Sequence, residues 1–227
     1  MLHALLLPLL LAAAPGLAPV SADSVRVFLV RHGQAYSNLD PEPDLPAERL
    51  DSLTDLGRQQ SRAAAGFLKA QGVSAILTSP AGRARETAEE LRRALGLGAA
   101  AAVEARLRPL DLGRGPDGAP LDWDAREVEW EAGRDPSPQG GESLEQLGER
   151  VLELVRSLRP ARAGKGVALV AHSEVIAAFT GALEGKPGAR RWPPTARNGS
   201  VTVVDLGTSG APRLLLAGHV PEAAPPR

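Results

Sequence analysis

A β-branched apolar run, Val25-Arg26-Val27-Phe28-Leu29-Val30, leads straight into Arg31-His32-Gly33. Such a run, closed by an abrupt basic turn, is the pattern of a buried strand that delivers its next residues to the rim of a sheet. A histidine held there beside a permanent cation is a candidate nucleophile. The pattern returns at 73–77, ahead of Ser79-Pro80, and at 166–171, ahead of His172. Helical periods separate these runs. Leu56, Ala63, Ala64, Phe67 and Leu68 fit one face of a helix that Thr54 caps and Gly72 closes, and Pro80 starts another that runs to about Leu95. Leu144, Leu147, Val151, Leu154, Val155 and Leu158 mark the clearest amphipathic helix, begun by Ser143 and ended before Pro160. A further helix at 174–183 and strands at 200–206 and 213–216 complete the pattern. The alternation predicts an α/β chain, a three-layer α/β/α sandwich with a mainly parallel central sheet. Segments 40–46 and 111–141, rich in Pro, Gly and Asp, read as loops, the second with a short helix around 123–130.

The 227 residues fit one domain with a sizeable core. Lys plus Arg number 26 against 27 Asp plus Glu, and no basic run interleaves with aromatics, so nucleic acid is not an expected partner. The absence of cysteine excludes thiol nucleophiles, disulfides and cysteine zinc sites, and the four histidines show no paired metal-ligand spacing. Residues 5–14 form an apolar stretch of signal-peptide length, too short to span a bilayer, followed by Pro15, Gly16 and Pro19 and by the small residues Val20-Ser21-Ala22. The expectation is a signal peptide at 1–22 and a single domain at 23–227, exported to the periplasm or secreted, with no membrane attachment after cleavage. Without such processing the protein would be cytoplasmic.

His32, His172 and the Ser79-Pro80-Ala81-Gly82-Arg83-Ala84 block all follow strand runs. Ligands of open α/β sheets sit outside the carboxyl ends of the strands, so these points can converge on one pocket. Arg31 and Arg83 supply planar forks suited to phosphate oxygens, and Asn38 can add a neutral donor. Two arginines and two histidines without an acidic cage describe a site for a phosphoryl group handled without a metal.

Arg31-His32-Gly33 with Asn38, Leu53-Thr54 with Gly57 and Gln60, Ser79-Pro80 with Arg83-Ala84 and Thr87-Ala88, Gly141-Glu142-Ser143, and Val170-Ala171-His172 together resemble the histidine phosphatase superfamily, in its phosphoglycerate-mutase-like branch. The resemblance implies attack of His32 on phosphorus, a phosphohistidine intermediate, and transfer of the phosphoryl group to water or a second acceptor. Arg31, Asn38, Arg83 and His172 would neutralise the phosphoryl oxygens. No metal or nucleotide cofactor is implied. The expected function is a metal-independent phosphatase acting on a small phosphorylated substrate, with the oligomeric state left open.

The resemblance breaks at one block. The family usually supplies a glutamate as general acid in a segment like Leu-Arg-Glu-Ile-Asp-Phe-Gly, and this chain reads Leu107-Arg108-Pro109-Leu110-Asp111-Leu112-Gly113. Proline cannot transfer a proton. In an extended segment residues i and i+2 point the same way, which makes Asp111 the candidate replacement, with capping of the following Gly-rich loop as its structural alternative. Glu142 reads as a helix N-terminal carboxylate rather than a catalyst. Two alternatives to the phosphatase are a phosphoglycerate mutase-type phosphotransferase and a non-catalytic phosphoryl-binding protein lacking the general acid. The acidic 113–141 segment, its carboxylates tempered by Arg114, Arg126 and Arg134, reads first as a solvated helix face, and as a lid over the pocket it would disfavour highly anionic substrates. His3, in the leader, and His219, in a Pro-rich tail, are expected to be inert.

Overall fold

The computed structural model describes residues 17–162, 164–207 and 212–222. The leader expected at 1–22 falls largely outside the described residues, as does His3. Six strands form one sheet: β1 (Val25–Arg31), β2 (Val73–Thr78), β3 (Ala102–Val103), β4 (Lys165–Ala171), β5 (Val201–Leu206) and β6 (Arg213–His219), in the order β3-β2-β4-β1-β5-β6. Neighbours from β3 to β1 pair in parallel, while β5 pairs antiparallel with both β1 and β6. The sheet is mainly parallel, as the strand and helix alternation implies.

Residue alternation in β1 sorts the two cores. Phe28 and Val30 face α2 (Asp55–Ala70) and α3 (Gly82–Leu95), meeting Phe67, Leu68 and Leu91. Val27 and Leu29 face the other way, into a cluster with Leu147, Val151 and Phe179 from α5 (Leu144–Arg162) and α6 (Ser173–Leu183). Leu147, Leu154 and Leu91 are fully buried, and truncating any such leucine to alanine costs about 2–5 kcal/mol. The result is the three-layer α/β/α sandwich.

Local departures have physical causes. Leu56 lies in the first turn of α2 and is 48% exposed, because the buried stripe begins only at Gly57 and Ser61. The amphipathic helix continues past Pro160 to Arg162, since a proline in a last turn removes a single backbone rung. His219 ends β6 rather than lying in a tail, and its ring stands 5.0 Å from that of Phe67. A one-turn helix α1 (Ala47–Leu50) and the two-residue β3 are too short to carry a period. At the amino-terminal end of β1, Arg26 is bidentate to Asp205 (2.7 and 2.8 Å) and also donates to the Ala18 carbonyl. Leu17 packs against the Phe28 cluster. No helix among the described residues is long and apolar enough to cross a membrane.

Candidate active site

The register of the sheet builds the site. Arg31 pairs with Ala171 across β1 and β4, so the next residue on each strand, His32 and His172, emerge side by side at the carboxyl edge. The His32 amide donates to the Ala171 carbonyl (3.0 Å), and Ser79, just past β2, donates its own amide to Val170 (2.9 Å). Three adjacent parallel strands therefore deliver both histidines and the start of α3 to one place. The two imidazoles are buried with centroids 5.2 Å apart.

Glycine is required at position 33 for packing. An ideal Cβ there would lie 2.2 Å from the Gly57 carbonyl oxygen, and one on Gly57 would lie 2.1 Å from that of Gln34. The loop after β1 is thus pressed against the start of α2. Thr54 caps that helix through Gly57 N–H (3.0 Å), Gln60 accepts the Gln34 amide (2.8 Å), and the Gly33 amide donates to Thr87 (3.0 Å). The Thr54, Gly57, Gln60 and Thr87 positions hold the loop that carries His32.

Hydrogen bonds set the tautomers. His32 Nδ1 lies 2.8 Å from the Gly33 carbonyl, an acceptor, so Nδ1 carries the proton and Nε2 presents its lone pair to the cavity. Arg83 Nε donates to that Nε2 (3.2 Å), and Arg83 Nη2 lies 3.3 Å from His172 Nδ1. A guanidinium can only donate, so His172 Nδ1 is the acceptor and its Nε2–H donates to Ser79 Oγ (2.8 Å). Burial, with Arg83 next in weight, pushes the His32 pKa down to about 3. Burial also drives His172 well below its ordinary value, aided by His32 and Arg83. Both rings are neutral at neutral pH, which leaves the His32 lone pair free for attack once Arg83 transfers its donors to phosphate oxygens. An anion beside His172 Nδ1 would raise that ring's pKa and convert the nitrogen to a donor.

Arg31 is anchored by Nη1 to the Ala196 carbonyl (2.7 Å), while its Nε is buried without a protein partner, a donor that a phosphate oxygen would satisfy. Asn38 Oδ1 accepts from Ala35 N–H (3.0 Å) and from Asn198 Nδ2 (3.2 Å), which leaves its own amide hydrogens for a ligand. Asn198 Nδ2 also lies 3.1 Å from the His32 carbonyl. Arg31, His32, Asn38, Arg83 and His172 line one cavity of about 500 Å³. Trp123 and Trp192 also line it, stacked with centroids 5.7 Å apart.

Asp111 does not join them. It is exposed, and its Oδ1 accepts from Gly113 N–H (3.2 Å), so it caps the loop as its structural alternative required. The backbone turns at this point, with Gly113 at φ 76°, and the i, i+2 relation of an extended strand does not apply. Pro109, Leu110 and Leu112 face the cavity instead. Glu142 is structural: it pairs with Arg150, accepts the Asp111 amide (3.3 Å), and Arg150 in turn donates to the Arg106 carbonyl (2.7 Å). This network pins residues 106–111 against α5. Arg126, read from sequence only as tempering the acidic 113–141 segment, is 1% exposed and donates to the carbonyls of Pro136 and Glu142 (3.1 and 3.0 Å). Three residues that sequence reasoning passed over also belong to the site: Asp51, which binds Arg83; Asn198; and Glu174, a buried carboxyl on the cavity two residues past His172. The aspartate just ahead of Leu53-Thr54 and a glutamate in an otherwise apolar helix start were the available signals.

A family model of the histidine phosphatase superfamily (branch 1) matches residues 27–218. The chain is 33% identical over 192 residues to a glucosyl-3-phosphoglycerate phosphatase of Mycolicibacterium vanbaalenii, covering 80% of this chain and 83% of that one. It is 30% identical over 208 residues to a probable phosphoglycerate mutase GpmB of Yersinia enterocolitica, covering 88% and 92%. Among solved structures, a mycobacterial glucosyl-3-phosphoglycerate phosphatase complexed with VO3 superposes with a TM-score of 0.64 at 29% identity, over 86% of this chain and 98% of that one.

Proposed function

The chain belongs to branch 1 of the histidine phosphatase superfamily, and we propose that it hydrolyses small phosphomonoesters, without a metal, through a phosphohistidine on His32. The observation that carries this reading is the pairing of the two neutral histidines across Arg83, with the His32 Nε2 lone pair directed into the cavity. In-line attack by that nitrogen places negative charge on the phosphoryl oxygens, and the forks of Arg31 and Arg83 with the amide of Asn38 surround the position where it develops. Two guanidiniums meet the charge demand that a metal meets elsewhere. The test is phosphate release from p-nitrophenyl phosphate in chelator by the protein and by its His32→Ala variant. A rate that survives in chelator and vanishes in the variant supports the reading; a rate unaffected by the variant overturns it. Interconversion of phosphoglycerate isomers, assayed in parallel, would move the assignment to a phosphotransferase.

Trp123 and Trp192, which line the cavity, supply apolar aromatic surface for the organic part of the ester. A carbon-rich skeleton, such as a sugar ring or an aryl group, fits this surface better than a polyanion, which the exposed carboxylates Asp122 and Asp124 beside Trp123 repel. Simple monoesters should therefore outrank inositol polyphosphates in a substrate panel, and phytate as the best substrate would refute this.

The apolar stretch at 5–14 and the small residues ahead of Asp23 support export to the periplasm or medium, with cleavage after Ala22. Recovery of a protein from cells with Asp23 at its amino terminus is the expected result; an intact leader on a cytoplasmic protein would exclude it.

A further inference from the structure

The phosphatase reading leaves one chemical requirement without a residue. Cleaving a phosphate ester of an ordinary alcohol produces an alkoxide, which needs a proton as it departs. Pro109 has none to give, Asp111 faces outward, and the arginines stay charged. Two carboxyls line the cavity, the exposed Glu42 and the buried Glu174.

Glu174 sits in the first turn of α6, 6% exposed, on the same cavity as His32, Arg83 and His172. Its Oε2 accepts from Ser173 Oγ (3.3 Å), and the N–H groups of Glu174 itself and of Leu110 also reach the carboxyl. The side chain is therefore lodged between the start of α6 and the 109–110 segment, on the cavity that Arg83 and Arg31 also line and within reach of their charge. A carboxylate that merely stabilised a helix N-terminus would be ionised and stay in contact with water. This one is enclosed, and burial raises its pKa above the ordinary carboxyl value although Arg83 and the backbone amides oppose the change.

We propose that Glu174 is the general acid and base of this active site, an assignment that rests on the phosphatase reading of the same cavity. In the first step the His32 Nε2 lone pair forms the N–P bond, the P–O bond to the leaving group breaks, and the Glu174 carboxyl proton passes to the departing oxygen to give the alcohol. In the second step water attacks phosphorus, Glu174 carboxylate takes its proton, the N–P bond breaks with its electron pair returning to Nε2, and inorganic phosphate leaves.

The test compares the protein with E174Q and E42Q on p-nitrophenyl phosphate, whose leaving group needs little protonation, and on glycerol phosphate, whose leaving group needs it fully. For E174Q the kcat/KM on glycerol phosphate should fall about 10²–10³-fold, while the initial burst of nitrophenolate stays within roughly a factor of three and phosphohistidine accumulates. The alkaline limb of the glycerol phosphate pH profile should disappear in the same variant. E42Q should show no difference in effect between the two leaving groups. Equal losses on both substrates, or none on either, overturn the assignment, as does transfer of the selective defect to E42Q. Should E174Q fail to fold, E174D keeps the acid at a greater distance and should show the same selectivity to a smaller degree. A parent protein with no His32-dependent release of nitrophenolate would overturn the phosphatase reading itself, and the role of Glu174 with it.

Discussion

Asp51 holds Arg83 and the helix turn beneath it: Oδ1 pairs with Nη1 of the guanidinium, and Oδ2 accepts the amide of the preceding Gly82 (2.6 Å). The carboxylate thus fixes both the side chain and the first turn of the helix that carries it. Asp51 is half-buried and is not among the residues lining the cavity, so it acts on the site by positioning Arg83. Asp51→Asn keeps the size and one acceptor but loses the charge. Phosphatase kcat/KM should drop about tenfold through kcat, as expected for a misplaced transition-state donor. An unchanged urea midpoint alongside that loss would separate positioning from folding, and an unchanged kcat would refute the role.

Gly33→Ala tests why the basic turn after β1 must be followed by glycine. The added methyl would lie 2.2 Å from a backbone oxygen of Gly57, where no flexible side chain can yield. Overpacking of this kind costs about 1–3 kcal/mol, and because the collision also displaces the His32 loop, activity should fall more than stability does. Urea denaturation and the nitrophenolate burst measure the two effects. A variant with parent-like values in both would show that the loop relaxes freely.

The parts of the site carried by strand ends were legible in the sequence, because an apolar run stopping at Arg31-His32 or at His172 states both the strand and the edge where it ends. Arg83 was legible through the Ser-Pro turn that starts its helix. Asp111 was misplaced for a local reason: the inference assumed extended backbone, and the chain turns at Gly113. Glu174 was passed over, and the burial of Arg126 missed, for a tertiary reason. A first-turn glutamate ordinarily faces solvent, and a lid arginine ordinarily does too. Only the approach of residues 109–110 to α6, and of the 136–142 carbonyls to α4 (Trp123–Glu131), encloses these charges. No local period records such an approach.

The tryptophan wall yields a prediction about substrate size. Trp192 is packed on Trp130 at 4.7 Å as well as on Trp123, so it is fixed, whereas Trp123 is 38% exposed and can be removed at little structural cost. Trp123→Ala should raise KM for a sugar or aryl phosphate roughly three- to tenfold, the worth of one aromatic contact. Inorganic phosphate, which has no organic part, should inhibit parent and variant alike. Equal weakening of both ligands would mean that Trp123 shapes the phosphoryl site instead.

Stability should depend on pH with two opposing signs. His32, at about 3 in the fold against an ordinary 6.5, is held neutral by burial. The unfolded chain binds the extra proton between those values, so this contribution is fully present above pH 6.5 and is lost as pH falls toward 3. His172, lowered well below 6.5 for the same reason, adds to the same slope. Glu174 runs the other way: its folded pKa lies above the ordinary 4.5, so its contribution is complete below 4.5 and is lost as pH rises through the folded value. Urea midpoints from pH 8 down to 4 should therefore decline most steeply below 6.5. His32→Gln should flatten that decline, and Glu174→Gln should leave it in place while raising the midpoint relative to the parent at pH 8. A His32→Gln variant as acid-sensitive as the parent would show that the ring is charged in the fold, and with it that the lone pair required for attack on phosphorus is not available.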